Sequence, residues 1–207
     1  MQVYLPTKIQ KPPNLIDVPS AWLGIESILG DIIERFGVKG DKALEFGVEY
    51  GYSTVALSNF FKKVIGVDHF LGDENTNEKN VEGMYEKVKE ALAPYPIQLF
   101  NKSYQDYIYA HRFNGPYDLI HIDIVHTYED TFACGDWALK NAPIVLFHDT
   151  ESFPEVKRAV SDLAEKHNVE FYNYPHHCGL GILYGKNNNY SALPDERKTG
   201  YDFRFAW

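Results

Sequence analysis

The sequence predicts an α/β protein built on a doubly wound, mostly parallel seven-stranded sheet, with helices on both faces and an antiparallel last strand. Three observations carry this. Short apolar runs (KALEFG, KVIGVD, YDLIHID, PIVLFHD) alternate with segments of helical period. The runs are apolar throughout, the pattern of strands covered on both faces. The last two runs, Val169–Tyr174 and Leu180–Tyr184, are separated only by a turn through His176–Gly179, too short for a crossover, so they pair as a hairpin.

The elements follow in order. Residues 1–19 hold Pro6, Pro12, Pro13 and Pro19 without a clear period and read as an extended arm. Ser20 is placed to cap a helix whose apolar face is Trp22, Ile25, Ile28, Leu29, Ile32, Ile33 and Phe36, ended by Gly37 and Gly40. Strands are expected at 42–47, 63–68, 97–100, 117–123 and 143–149. Helices are expected at 53–61, 81–92, 104–111 and 128–139, with a polar loop at 71–79. Ser152-Phe153-Pro154-Glu155 fits a capping box with proline in the first turn of the next helix. The chain divides into the arm 1–19, one domain over 20–186 and an aromatic tail over 187–207.

Composition narrows the function. The 207 residues are 44% hydrophobic and 24% charged, an ordinary globular balance, with a formal charge of -9. That charge repels phosphate backbones and argues against nucleic acid as a partner. Cys134 and Cys178 form no CxxC pair and read as reduced thiols. With no apolar run long enough for a signal peptide or a span, the expected location is the cytoplasm, without a membrane partner.

Ligands of an open parallel sheet sit beyond the carboxyl ends of its strands. The first such end is Glu45-Phe46-Gly47-Val48-Glu49-Tyr50-Gly51-Tyr52-Ser53-Thr54. Gly47 permits a tight turn and Gly51 a close helix start. Asp68 ends the next strand about 20 residues on, where an acidic residue accepts hydrogen bonds from ribose hydroxyls. A structural strand–helix turn would look similar. A dinucleotide is disfavoured, because the third position of GxGxxG is Glu49, whose carboxylate would face a pyrophosphate.

ExGxxxGxST after a first strand resembles the cofactor motif of class I S-adenosylmethionine-dependent methyltransferases, a Rossmann-like family. The likeness is strongest to small-molecule O-methyltransferases of the macrocin and cephalosporin-tailoring kind, and runs from about Trp22 to Gly185. It implies S-adenosylmethionine as cofactor. Glu45, Gly47 and Gly51 would line its methionine part, Ser53 would stand near its carboxylate, and Asp68 would hold ribose. His69, Ser103 and Gln105 would lie along adenine. Glu49 and Tyr50 depart from the glycine-rich form of the motif.

The fourth and fifth strands end in HIDIVHTYE and FHDT. Neighbouring strands there bring Asp123 and Asp149 side by side. Two carboxylates so close repel unless a positive charge stands between them. With His148 they form an oxygen and nitrogen donor set suited to magnesium or manganese. DxxHxYE with a following acidic position resembles the metal and base motif of the same family, in which His148 replaces a carboxylate. Orientation of substrate or capping of the following helices, without metal, is the other reading of these aspartates. His126 is the candidate general base and Asp123 its catalytic neighbour. The expected activity is methyl transfer to oxygen on a small hydroxylated molecule, in a chain that forms a homodimer. The rivals are a non-catalytic binding or assembly module and a nicotinamide-dependent oxidoreductase.

Overall fold

The computed structural model describes residues 1–72, 82–111 and 115–185. The tail from 187, most of the expected loop 71–79 and Val81 at the expected start of the third helix lie outside the described residues. The strands are β1 (Gln2–Val3), β2 (Lys42–Phe46), β3 (Lys63–Asp68), β4 (Ile97–Asn101), β5 (Leu119–Ile122), β6 (Ile144–His148), β7 (Glu170–Tyr174) and β8 (Leu180–Tyr184). The helices are α1 (Leu29–Phe36), α2 (Tyr52–Ser58), α3 (Met84–Leu92), α4 (Tyr104–His111), α5 (Tyr128–Ala138) and α6 (Pro154–His167).

They build one sheet in the order β1-β7-β8-β6-β5-β2-β3-β4. β8 is antiparallel to both neighbours, β6 and β7, and every other pairing is parallel. The expected mostly parallel sheet with an antiparallel last strand is therefore present. It gains one strand that periodicity does not reveal: the arm supplies β1, whose Gln2 and Val3 pair with Tyr172 and Asn173 of β7.

Both faces are covered. Leu44, Phe46, Ile120, Ile122, Val145 and Phe147 pack against α4, α5 and α6 through Tyr107, Cys134, Ala138, Val156, Val160 and Leu163. The alternate residues Ala43, Leu119, Ile144 and Leu146 pack against Trp22, Ile25, Leu29, Ile32, Ala56 and Leu57. Each fully buried Leu, Ile or Val side chain contributes about 1.5–3 kcal/mol relative to exposure. Among the described residues, no helix is long and apolar enough to cross a membrane.

Two local expectations are corrected. The helix expected from Ser20 begins instead with a turn and a 3-10 segment at Ile25–Ile28, and α1 proper starts at Leu29. Gly24 interrupts the pattern with a φ of 103°, outside the helical range, and a Cβ there would collide with the His177 ring, so the position takes only glycine. The capping box at Ser152 is also absent. The residue before α6 is Phe153, with Pro154 at the first helical position, and the Ser152 hydroxyl is turned toward the carbonyl of Cys178.

Candidate functional site

Among the described residues, six non-glycine residues have positive φ, and five of them follow the carboxyl ends of strands: Glu49, Phe70, Asp149, His177 and Cys178. Backbone strain of this kind gathers where a ligand is held. At the β2 end, the Gly47 amide donates to Val67 O at 2.9 Å and the Gly51 amide to Val48 O at 2.8 Å. Gly47 has φ 88°, and a Cβ there would lie 1.6 Å from the carbonyl oxygen of Asp123. The Asp123 amide in turn donates to Phe46 O at 2.8 Å. The loop expected to hold cofactor is thus pressed against the strand end expected to carry the chemistry.

Asp68 accepts three backbone amides. Val48 and Glu49 donate to Oδ2 at 2.8 and 2.9 Å, and Phe70 donates to Oδ1 at 2.7 Å. It ties the loops after β2 and β3 and keeps lone-pair capacity for a hydroxyl. His69 is half exposed beside it. Across the crevice, Ser103 caps α4: its hydroxyl accepts from the Asp106 amide at 3.1 Å and donates to the Asp106 carboxylate at 2.9 Å. Gln105 reaches Asp130 at 3.4 Å. These two stand at the mouth of β4, as expected, but each already has a structural partner.

Ser53 is buried in the first turn of α2, and Glu45 lies behind the loop, wholly buried. Glu45 accepts from the Thr54 hydroxyl on one oxygen and faces His121 Nδ1 at 2.9 Å on the other. Glu45 and His121 are register partners on β2 and β5. The indole N–H of Trp22 donates to His121 Nε2 at 3.2 Å. Thr54 lies within the quoted motif. Trp22 has no such signal, since a Trp opening an amphipathic pattern reads as core.

At the other end, Asp123, His148 and Asp149 converge, with donor atoms within 4.8 Å of one another. His148 Nδ1 lies 3.1 Å from Asp123 and 3.2 Å from Asp149. Its ring is buried, yet neither nitrogen makes an aligned hydrogen bond. The contact is therefore charge against charge, and the imidazole proton points squarely at neither carboxylate. Burial disfavours charge on His148, but Asp123 and Asp149 outweigh it and push its pKa up to about 10. Burial would raise Asp149, yet the hydrogen bond from His126 and the charge of His148 hold it well below the usual carboxylate range. Asp123 is lowered likewise, with His148 outweighing burial. A proton on His148 here serves where a cation would. Two carboxylates and a buried imidazole would fit a divalent ion in place of that proton, which His148 would have to release on ligating it.

His126 Nε2 stands 2.8 Å from Asp149 Oδ2 and 3.9 Å from Asp123 Oδ1, and its ring stacks on Phe153 with centroids 3.9 Å apart. A small cavity bordered by Asp123, His126, Thr131 and His148 adjoins the cluster. It has room for one water-sized species.

A family model described as a methyltransferase domain matches residues 44–150, just over half of the chain. The chain belongs to the methyltransferase-domain family. Its fold is that of the class I S-adenosylmethionine-dependent methyltransferases. A Staphylococcus aureus protein assigned as a caffeoyl-CoA O-methyltransferase is 14% identical with a TM-score of 0.60, over 83% of this chain and 86% of that one. The O-methyltransferase from Bacillus cereus, in complex with S-adenosylhomocysteine, is 16% identical with a TM-score of 0.60, over 84% of each chain. The S-adenosylhomocysteine-bound methyltransferase of Podospora anserina is 14% identical with a TM-score of 0.56, over 84% of this chain and 91% of that one. No curated protein matches the sequence.

Proposed function

We propose that the chain methylates a hydroxyl of a small molecule with S-adenosylmethionine, assisted by a divalent cation. The observation that carries this reading is the approach of Gly47 to the Asp123 carbonyl. It sets the loop of the cofactor motif directly against the Asp123, His148 and Asp149 cluster. The O-methyltransferases among the structural neighbours support oxygen as the acceptor atom.

When bound, S-adenosylmethionine supplies a methyl group on a cationic sulfur, and in-line displacement forms the C–O bond as the C–S bond breaks. Asp68, with His69, Ser103 and Gln105, holds ribose and adenine. Gly47, Gly51 and Ser53 frame the methionine end. His126 takes the acceptor proton on Nδ1, because Nε2 donates to Asp149. That carboxylate orients the ring and stabilises the imidazolium. Asp123, His148 and Asp149 would hold magnesium or manganese, which lowers the pKa of the acceptor hydroxyl.

Calorimetric titration with S-adenosylhomocysteine, with and without manganese, tests the assignment. Micromolar binding, about −8 kcal/mol, that is lost in Asp68→Ala supports it. Turnover on a panel of hydroxylated acceptors then identifies the substrate. Absence of binding under every metal condition removes the methyltransferase reading of the site. Full turnover by Asp123→Ala removes its chemical half.

A further inference from the structure

We propose that Glu45 acts through space as an electrostatic positioning residue, favouring the cationic S-adenosylmethionine over its neutral product S-adenosylhomocysteine. The inference rests on the cofactor reading above and goes beyond it, since Glu45 lies behind the loop.

The buried network defines the charge. Thr54, Glu45, His121 and Trp22 come from α2, β2, β5 and the segment before α1, and all are buried. Each hydrogen has one place. The Thr54 hydroxyl donates to Glu45. Trp22 has a donor and no acceptor, so its hydrogen bond to His121 Nε2 makes that nitrogen the lone-pair bearer. The proton of His121 then sits on Nδ1 and points at Glu45, 2.9 Å away. This tautomer is assigned from the network. The set carries one negative charge and no positive one. Among the described residues, no Lys or Arg nitrogen stands within 4.0 Å of Glu45.

A buried carboxylate without a cation is costly to hold, and two neutral donors offset only part of that cost. Its place suggests what completes it. Glu45 is two residues before Gly47, where the chain turns out of β2 toward the ligand end. A cation resting on the far side of that turn would feel the carboxylate through protein rather than water, where screening is weak. The sulfonium is such a cation. Its charge disappears on transfer: the sulfur leaves as a neutral sulfide, and the positive charge departs as the acceptor's proton. The same carboxylate therefore holds the reactant and loses its grip on the product.

A purely structural Glu45 would support all ligands of the loop equally. The two roles separate by calorimetry on the full chain with three probes: S-adenosylmethionine, the amine analogue sinefungin, cationic near the position of the sulfonium, and S-adenosylhomocysteine. Glu45→Gln keeps the shape and can still accept from His121. It is expected to weaken both cationic ligands by about tenfold while changing S-adenosylhomocysteine by less than about twofold. Glu45→Asp, which keeps the charge, should retain most of the wild-type preference even where it lowers stability. Equal weakening of all three ligands by Glu45→Gln, or no change, overturns the proposal. Should Glu45→Gln fail to fold, Glu45→Asp still decides: loss of the preference for the cationic ligands with the charge retained overturns the proposal as well. If the unmodified protein binds none of the probes, the cofactor reading itself fails, and this proposal with it.

Discussion

The carbonyl oxygen of Asp123 occupies the space in which a side chain on Gly47 would stand, 1.6 Å from where its Cβ would be. One backbone contact thus joins the β2 loop to the β5 end, and it tolerates only glycine. Gly47→Ala is expected to lose at least about 3 kcal/mol of stability, from the φ of 88° and the collision together. Its binding of S-adenosylhomocysteine should vanish. Gly37→Ala is the control: its φ is 63° but nothing lies within 4 Å, so a loss of only about 1 kcal/mol is expected. Urea unfolding of both variants measures the difference.

The N-terminal arm is fastened by Asp31. Thr7 donates to it from both amide and hydroxyl, and Lys8 from its amide, at 3.1, 2.6 and 3.0 Å. Tyr4 donates from its phenol, and Arg35 stands 3.2 Å away. Burial opposes charge on Asp31, but the bonds from Thr7 and Tyr4 and the Arg35 guanidinium outweigh it and lower its pKa. A carboxyl whose folded pKa lies below the unfolded one contributes stability that is complete above the unfolded value, about 4, and is lost as pH falls through the folded value. Asp31→Asn should therefore cost about 2 kcal/mol at neutral pH. The gap to the unmodified protein should close as the pH drops below about 4. Urea unfolding from pH 7 to pH 2 tests this; a gap that stays constant would contradict the assigned role.

Much of the fold was legible because its central strands are apolar on both faces, so β2, β3, β5 and β6 stand out as continuous runs. At the carboxyl ends of the strands, what depends on residue type at a turn was legible as well: Gly47 and Gly51 do stand at the turns after β2, and Asp68, Asp123 and Asp149 at or just past the ends of β3, β5 and β6. What depends on tertiary contact was not. β1 is two exposed residues whose link to the sheet is backbone pairing, so it leaves no periodic trace. Ser152 has the spacing of a cap, but the hairpin turn draws it to Cys178. Gly24 sits inside a helical pattern, and its φ of 103°, beside a His177 ring distant in sequence, leaves no local trace of the late helix start. The pairing of Glu45 with His121 depends on strand register, which local sequence does not encode.

The contacts of His126 allow its proposed role as base to be tested apart from cofactor binding. Its Nε2 is held by Asp149 and its ring by Phe153, and neither contact touches the β2 loop. His126→Ala is expected to reduce kcat by about 100-fold with S-adenosylhomocysteine affinity unchanged. Phe153→Ala, which frees the ring without removing it, should give a smaller loss. Steady-state kinetics beside calorimetry check both. A fall in cofactor affinity as large as the fall in kcat would place His126 in the binding site rather than at the reacting oxygen.

Asp149 combines a carboxylate of the Asp123, His148 and Asp149 cluster with a strained backbone. Its φ is 64°, a conformation that costs a side-chain-bearing residue about 1–2 kcal/mol. The turn is held by the amides of Ser152 and Phe153, which donate to the Asp149 carbonyl at 3.2 and 3.0 Å. Glycine adopts this φ without that cost. Asp149→Gly and Asp149→Ala both delete the carboxylate, so both should lose manganese binding, read by calorimetry, and methyl transfer. They should differ in stability: the glycine variant is expected to be about 1 kcal/mol more stable than the alanine variant, because it alone relieves the strain. Equal unfolding midpoints would mean that the turn relaxes in both variants, and that the Asp149 side chain, rather than the surrounding amides, sets the conformation.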